Sequence, residues 1–374
     1  MTLTTHAKTV NRLRPLAQIP LTLGRRVLSA AWRPHSRLIL VNDAASWVID
    51  EEMRALADIA AALGIRVVPS HWNPGSKRQS VFYGSQFYLF SDEWLQSSHR
   101  IAVAYFHGKP GTGVREFDDL FAKVKHHHDR LARVQVSHSE MRDCLLTTGI
   151  APEKLHLIPI GINLSLFHPQ TPALKSQFRT QYNIPQTATV IGSFQKDGVG
   201  WGDGLEPKLI KGPDTFVQAM AALKPRVPEL LVVLSGPARG YVKVGLARHG
   251  IPFLHFNLPR YSDIGELFQT LDLYMVTSRQ EGGPKAVLES MASGIPLVTT
   301  RVGQAMDLVR HGENGWMTDV EDVEALTHWA HECLDHSTEK NRIISAGLLT
   351  AHENAYSMQA PLWKKFLDGF VEEA

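Results

Sequence analysis

The segment QEGGPKAVLES, residues 280–290, sets a glutamate at each end, Glu281 and Glu289, with Gly282, Gly283, Pro284 and Lys285 between them. Carboxylates accept hydrogen bonds from hydroxyls, whereas unpaired amides at a helix start, with a lysine beside them, attract phosphate. Pro284 lacks an N–H and has φ preset for helix, so the pattern predicts a helix starting at Pro284 after the permissive Gly283. That helix runs through Lys285, Glu289 and Met291 to a left-handed cap at Gly294, and Pro296 prevents its continuation. Glu289 then lies about 7.5 Å along the axis from Pro284, at ~1.5 Å per residue, roughly the reach from a diphosphate to a ribose. The order carboxylate, amides, carboxylate matches sugar, diphosphate, ribose. The alternative for the segment alone is two solvated surface glutamates.

The elements around this segment must position it. LDLYMVTS (271–278) is apolar and bounded by polar residues, a buried strand, so the unit is strand, glycine loop, helix. From residue 37 onward, strand-like runs alternate with helical patterns: RLILVN, GIRVVPS, RIAVAYFH, RVQVS and KLHLIPIG, then ATVIGSF, ELLVVLS, IPFLHF, LDLYMVTS and IPLVTT. Such alternation predicts an α/β protein with two doubly wound Rossmann-like domains facing a shared crevice. The expected organisation is a basic extension over 1–36, an acceptor-side domain over 37–170 and a donor-side domain over 171–355. A C-terminal helix over 356–374 would pack back on the first domain.

The bulk numbers agree with about two domains: 374 residues, 44% hydrophobic and 20% charged. The two cysteines, Cys144 and Cys333, give neither a disulfide framework nor metal-ligand spacing, which favours a reducing compartment. No apolar run approaches the roughly 20 residues that span a bilayer. Net charge is +2, yet residues 1–42 hold seven Lys or Arg and no acid. This segment is read as a disordered extension, a surface for anionic membrane or an organellar transit peptide. The expectation is a cytoplasmic chain, with peripheral contact at the inner face of the membrane through that segment.

The segment EGGPKAVLE, continuing as SMASGIPLVTTRVGQAMDLVRHGENGWM, resembles the donor-site region of family 4 glycosyltransferases, a GT-B family with an E-x7-E motif. VSHSEMRDCLLTTGIAPEKLHLIPIGINLSLFHP and KGPDTFVQAM resemble that family's domain crossover and the first helix of its second domain, so the similarity covers about residues 100–335. The resemblance implies transfer of a sugar from a nucleotide diphosphate-sugar to an acceptor hydroxyl, with retention of configuration and with neither metal nor cofactor required. Carbohydrate or lipid-linked acceptors, as in polysaccharide, lipopolysaccharide or glycolipid synthesis, are the implied partners. By position, Glu281 would act on the transferred sugar and Glu289 on the ribose, with Lys211, Lys285 and the backbone of Gly282 and Gly283 near the diphosphate. VAYFHG places His107 beside the sugar. Relatives often have an arginine where Ser193 stands, and Lys196, in a longer glycine-rich insertion, is the substitute cation.

GVGWGDG lacks the G-K-[ST] of a P-loop; a mobile loop over the crevice and a structural role both stay open for it. In HGKPGTG an anion contact and a plain connection stay open. The consecutive histidines of KHHHDR point around a helix and not at one ion, a solvated surface. A sugar-nucleotide epimerase or hydrolase on the same fold, which would want an acid–base pair in the crevice, and a non-catalytic nucleotide-sugar-binding module are the competing functions. Nucleic acid is not an expected partner.

Overall fold

The computed structural model describes residues 37–42, 47–70, 78–335 and 337–371, so the basic segment and its membrane reading lie outside the described residues. Residues 35–374 form one compact unit. Two six-stranded sheets organise it. In chain order the first has β1 Arg37–Val41, β2 Arg66–Ser70, β3 Ser80–Tyr83, β4 Arg100–Ala104, β5 Leu131–Val136 and β6 Leu155–Leu157. The second has β7 Thr189–Phe194, β8 Leu230–Ser235, β9 Phe253–Phe256, β10 Leu273–Val276, β11 Leu297–Thr300 and β12 Trp316–Thr318. Their spatial orders are β2-β1-β3-β4-β5-β6 and β12-β11-β10-β7-β8-β9, and every pairing is parallel.

Helices cover both faces of each sheet, so central strands are apolar on both sides. Every residue of β8, LLVVLS, is buried, as is every residue of β10, LYMV. In the second sheet the chain order reverses between β7 and β10, the switch point where an open parallel sheet splays its loops into a crevice. The loops after β7 and β10 carry Lys196, Lys211, Glu281 and the glycines. Two short strands, β3 and β12, do not announce themselves as apolar runs: β3 is four residues, SVFY, and β12 three, WMT.

The last helix, Ala360–Leu367, packs on the first sheet, with Trp363 and Phe366 edge-on to Phe82 at ring separations of 5.8 and 5.6 Å. The halves are also joined at the crevice. Ser137 Oγ donates to Gly282 O at 2.9 Å, and Gln304 Oε1 accepts from Ile160 N at 2.9 Å.

Candidate active site

The helix after the glycine loop runs Lys285–Ala292, and Pro284 caps it: φ is −65°, as the ring demands, but ψ is 91°, extended. The helix therefore starts one residue later than expected. At its far end Gly294 takes the expected left-handed φ of 66°. Gly282 and Gly283 are glycines for a packing reason. A Cβ at Gly282 would lie 2.6 Å from Phe106 O, and one at Gly283 2.5 Å from Ile160 Cδ1 and 2.9 Å from Gln304 Oε1. No side chain fits, because the loop is pressed against the first half of the chain.

Three sequence-derived residues meet at the crevice. Glu281 accepts from Lys211 Nζ at 2.6 Å and from Ser278 Oγ at 2.8 Å, and its side chain is 10% exposed. His107, three residues past β4, stands close enough that Lys211 and Glu281 both act on its ionisation. Burial first, then the Lys211 charge, pull the His107 pKa down to about 4, with Glu281 opposing, so the ring is neutral near pH 7. Its tautomer follows from Gln86. The Gln86 amide donates both to His107 O, at 2.8 Å, and to His107 Nδ1, at 3.0 Å, while Gln86 Oε1 accepts from Phe106 N at 3.3 Å. Nδ1 is thus an acceptor and Nε2 carries the proton, a donor for a hydroxyl.

Lys208, not singled out in the sequence, joins this group. Its pKa is lowered by burial and then by the Lys211 and Lys196 charges, against the pull of Glu281. Lys208 thus feels two ammonium groups, Lys211 and Lys196, against one carboxylate, Glu281, the excess of positive charge that suits an anion. The Lys196 ammonium also lies 4.1 Å from the ring centre of Trp201, which is 71% exposed. The glycine-rich insertion is anchored, which favours the structural role of the two left open for it: Val199 N donates to Glu206 O, Lys208 N to Asp197 O, Gly240 N to Asp203 O and Tyr241 N to Gly204 O, all within 2.7–2.9 Å. Its backbone carbonyls satisfy the amides opening the helix Gly240–Arg248.

Lys285 and Glu289 form a second, more buried group. Lys285 Nζ donates to Tyr356 Oη at 2.9 Å and lies 4.9 and 5.4 Å from the ring centres of Tyr261 and Tyr356. Tyr261 donates to Glu289, and Tyr356 to Glu52, a residue of the first helix, Trp47–Ala62. Burial lowers the Lys285 pKa and raises that of Glu289; it lifts Glu52 to about 7, with Lys285 and Tyr356 opposing. The Lys285 side chain therefore bonds to Tyr356 and not to the Lys211–Glu281 pair. Its β-to-ε methylenes extend into a buried aromatic slot, which the residue type did not reveal. A cavity of about 1090 Å³ is lined by Tyr261, Tyr356, Glu51 and Asn163, and by none of His107, Lys196, Lys208, Lys211 or Glu281. Among the described residues no three His, Cys, Asp or Glu side chains gather as a metal-binding set, and no helix is long and apolar enough to cross a membrane.

Comparison with known proteins places this geometry. Residues 205–348 match the family model of "Glycosyl transferases group 1". The lipopolysaccharide core biosynthesis mannosyltransferase LpsB of Rhizobium meliloti is 29% identical over 203 residues, 52% of this chain and 54% of LpsB. The "Putative glycosyltransferase EpsD" of Bacillus subtilis is 28% identical over 209 residues, half of each chain. The chain spans about half the length of the curated relatives it matches. Among solved structures, Anabaena HepE with UDP and glucose superposes with a TM-score of 0.69 at 17% identity, over 90% of this chain and 99% of HepE. Sucrose-phosphate synthase of Thermosynechococcus elongatus gives 0.71 at 16%, over 90% and 99%. At such identities the likeness concerns the fold. The chain has the GT-B fold, and its residues 205–348 resemble the group 1 glycosyl transferases.

Proposed function

We propose that this protein transfers a sugar from a nucleotide diphosphate-sugar to an acceptor hydroxyl, with retention of anomeric configuration. The observation that carries the reading is the meeting of Lys208 and Lys211 with Glu281 and His107, with Lys196 beside Lys208, at the switch point of the second sheet. As the bond between sugar and diphosphate breaks, the leaving group gains negative charge, and fixed ammonium groups stabilise it more in the transition state than in the ground state. Lys211 and Lys208 serve that purpose. The proton on His107 Nε2 is offered to a sugar hydroxyl, and Glu281, held between Lys211 and Ser278, faces the transferred sugar. Glu289 receives the ribose hydroxyls, with the Tyr261 hydroxyl giving way or sharing the carboxylate. The backbone at Gly282 and Gly283 borders the sugar and diphosphate. The side chain of Lys285 supports this site through Tyr261 and Tyr356 and does not touch the phosphate.

The relative named for lipopolysaccharide core biosynthesis supports a carbohydrate or lipid-linked acceptor; our reading adds a cytoplasmic chain that meets it at the inner face of a membrane. A panel of UDP-, GDP- and ADP-sugars, scored for thermal stabilisation and slow hydrolysis with wild type and Glu281→Gln, tests the reading. One sugar nucleotide should stabilise both proteins and be hydrolysed only by wild type. A panel in which no nucleotide sugar stabilises the protein overturns it.

A further inference from the structure

We infer that the buried Asp197–Arg239 ion pair is a positioning device that presents Lys196 and Lys208 together to a diphosphate. This rests on the reading of the site as a diphosphate site and adds residues that touch no ligand. Arg239 is 1% exposed and Asp197 0%. The guanidinium ties three places together. Nη1 donates to Ser193 O at 2.6 Å and Ser235 O at 2.8 Å, at the ends of β7 and β8; Nη2 donates to Ser193 Oγ at 3.1 Å; and Nε lies 3.0 Å from Asp197 Oδ1.

Asp197 in turn sets both lysines. Lys196 precedes it in the chain, and the Asp197 carbonyl accepts from Lys208 N at 2.8 Å across a hairpin closed by the Gly198–Pro207 bridge. The hairpin lies flat on the Arg239 segment: a Cβ at Gly198 or Gly204 would fall 2.4 or 2.2 Å from Ala238 O. Left to themselves, lysines on a glycine-rich loop beside Lys211 would separate, because like charges repel and the extended loop has entropy to gain. Removing two charges from water for one ion pair is a poor route to stability, and in some folds such a pair serves to fix geometry. Here the geometry fixed is that of two cations, one on each strand of the hairpin.

Isothermal titration of the full chain with inorganic pyrophosphate tests the inference without knowledge of the base or the sugar. Arg239→Lys keeps the charge but loses the fork, and Asp197→Asn keeps the shape but loses the charge. Each should weaken pyrophosphate binding about 10-fold, the order expected when charge-assisted contacts are misplaced. In a Lys196→Ala/Lys208→Ala background the same substitutions should cost less than about 2-fold, because the groups they position are gone. An equal loss in both backgrounds overturns the positioning role, and so does failure of both single variants to fold by circular dichroism, which would make the pair purely structural. If wild type binds neither pyrophosphate nor UDP nor GDP, the diphosphate reading itself falls, and this inference with it.

Discussion

Glu281 and Lys211 form one ion pair, yet their substitutions should move nucleotide binding in opposite directions. Glu281→Gln keeps the shape and one acceptor oxygen for Lys211 Nζ, which donates to the carboxylate at 2.6 Å, and turns an N–H toward Ser278 Oγ, which donates to the carboxylate at 2.8 Å, while removing one negative charge from beside the lysines. A unit charge about 6 Å from a phosphate, at an effective dielectric constant of ~20, contributes roughly 2.8 kcal/mol of repulsion. The side chains are 10% and 23% exposed, so solvent and salt reduce this to about 1–2 kcal/mol, or ~5- to 30-fold in affinity. Titration calorimetry should show nucleoside diphosphate binding Glu281→Gln tighter by that factor and Lys211→Ala weaker. Turnover should fall in both, by about 100-fold or more for Glu281→Gln, because the group facing the sugar is lost. Weaker nucleotide binding by Glu281→Gln would refute the electrostatic reasoning, since removing a negative charge from the neighbourhood of the phosphate lowers repulsion.

His107→Ala should cut turnover at least ~10-fold while leaving the melting temperature within a few degrees, as expected of a hydrogen-bond donor at a crevice edge; a sharp drop in melting would make it a core residue. Because the His107 pKa is near 4, wild-type kcat/KM should show no inflection from this residue near pH 6.5 and should decline as pH falls toward 4. Glu289→Ala should weaken nucleoside diphosphate binding about 10- to 150-fold, whereas Tyr261→Phe, which frees the carboxylate for the ribose, should not; calorimetry on both variants decides. Glu52 binds its proton more tightly folded, about pKa 7, than unfolded, at 4.5, so its contribution is present below 4.5 and is lost as pH rises through 7. Urea melts at pH 5 and pH 8 should show Glu52→Gln gaining on wild type at the higher pH, by up to ~3 kcal/mol; a gain at the lower pH would contradict that sign.

The fold was legible because alternation of apolar runs with helical patterns admits few architectures, and parallel strands buried on both faces stand out as continuous apolar stretches. The four residues of β3 and the three of β12 did not, since strands so short depend on their neighbours for definition. Around the site, spacing pointed to Glu281, and the family resemblance to Lys211 and His107, which the structure brings together with it. It misplaced the Lys285 side chain, because nothing local says that Tyr261 and Tyr356, 24 residues before it and 71 after it, close an aromatic slot around the methylenes. Lys208 and Gln86 were missed for the same reason. The first acquires meaning from a hairpin held by Arg239, and the second from the return of β4 past a 3-10 turn, both contacts between distant parts of the chain.

The most direct test of the account is proton NMR of the products formed as the wild-type protein slowly hydrolyses the nucleotide sugar found to stabilise it, with Lys211→Ala as the control. The account predicts equal amounts of nucleoside diphosphate and free sugar, the sugar released first as the anomer present in the donor, and at least ~10-fold slower release by the variant. Nucleoside monophosphate with sugar phosphate, or the opposite anomer first, would contradict it.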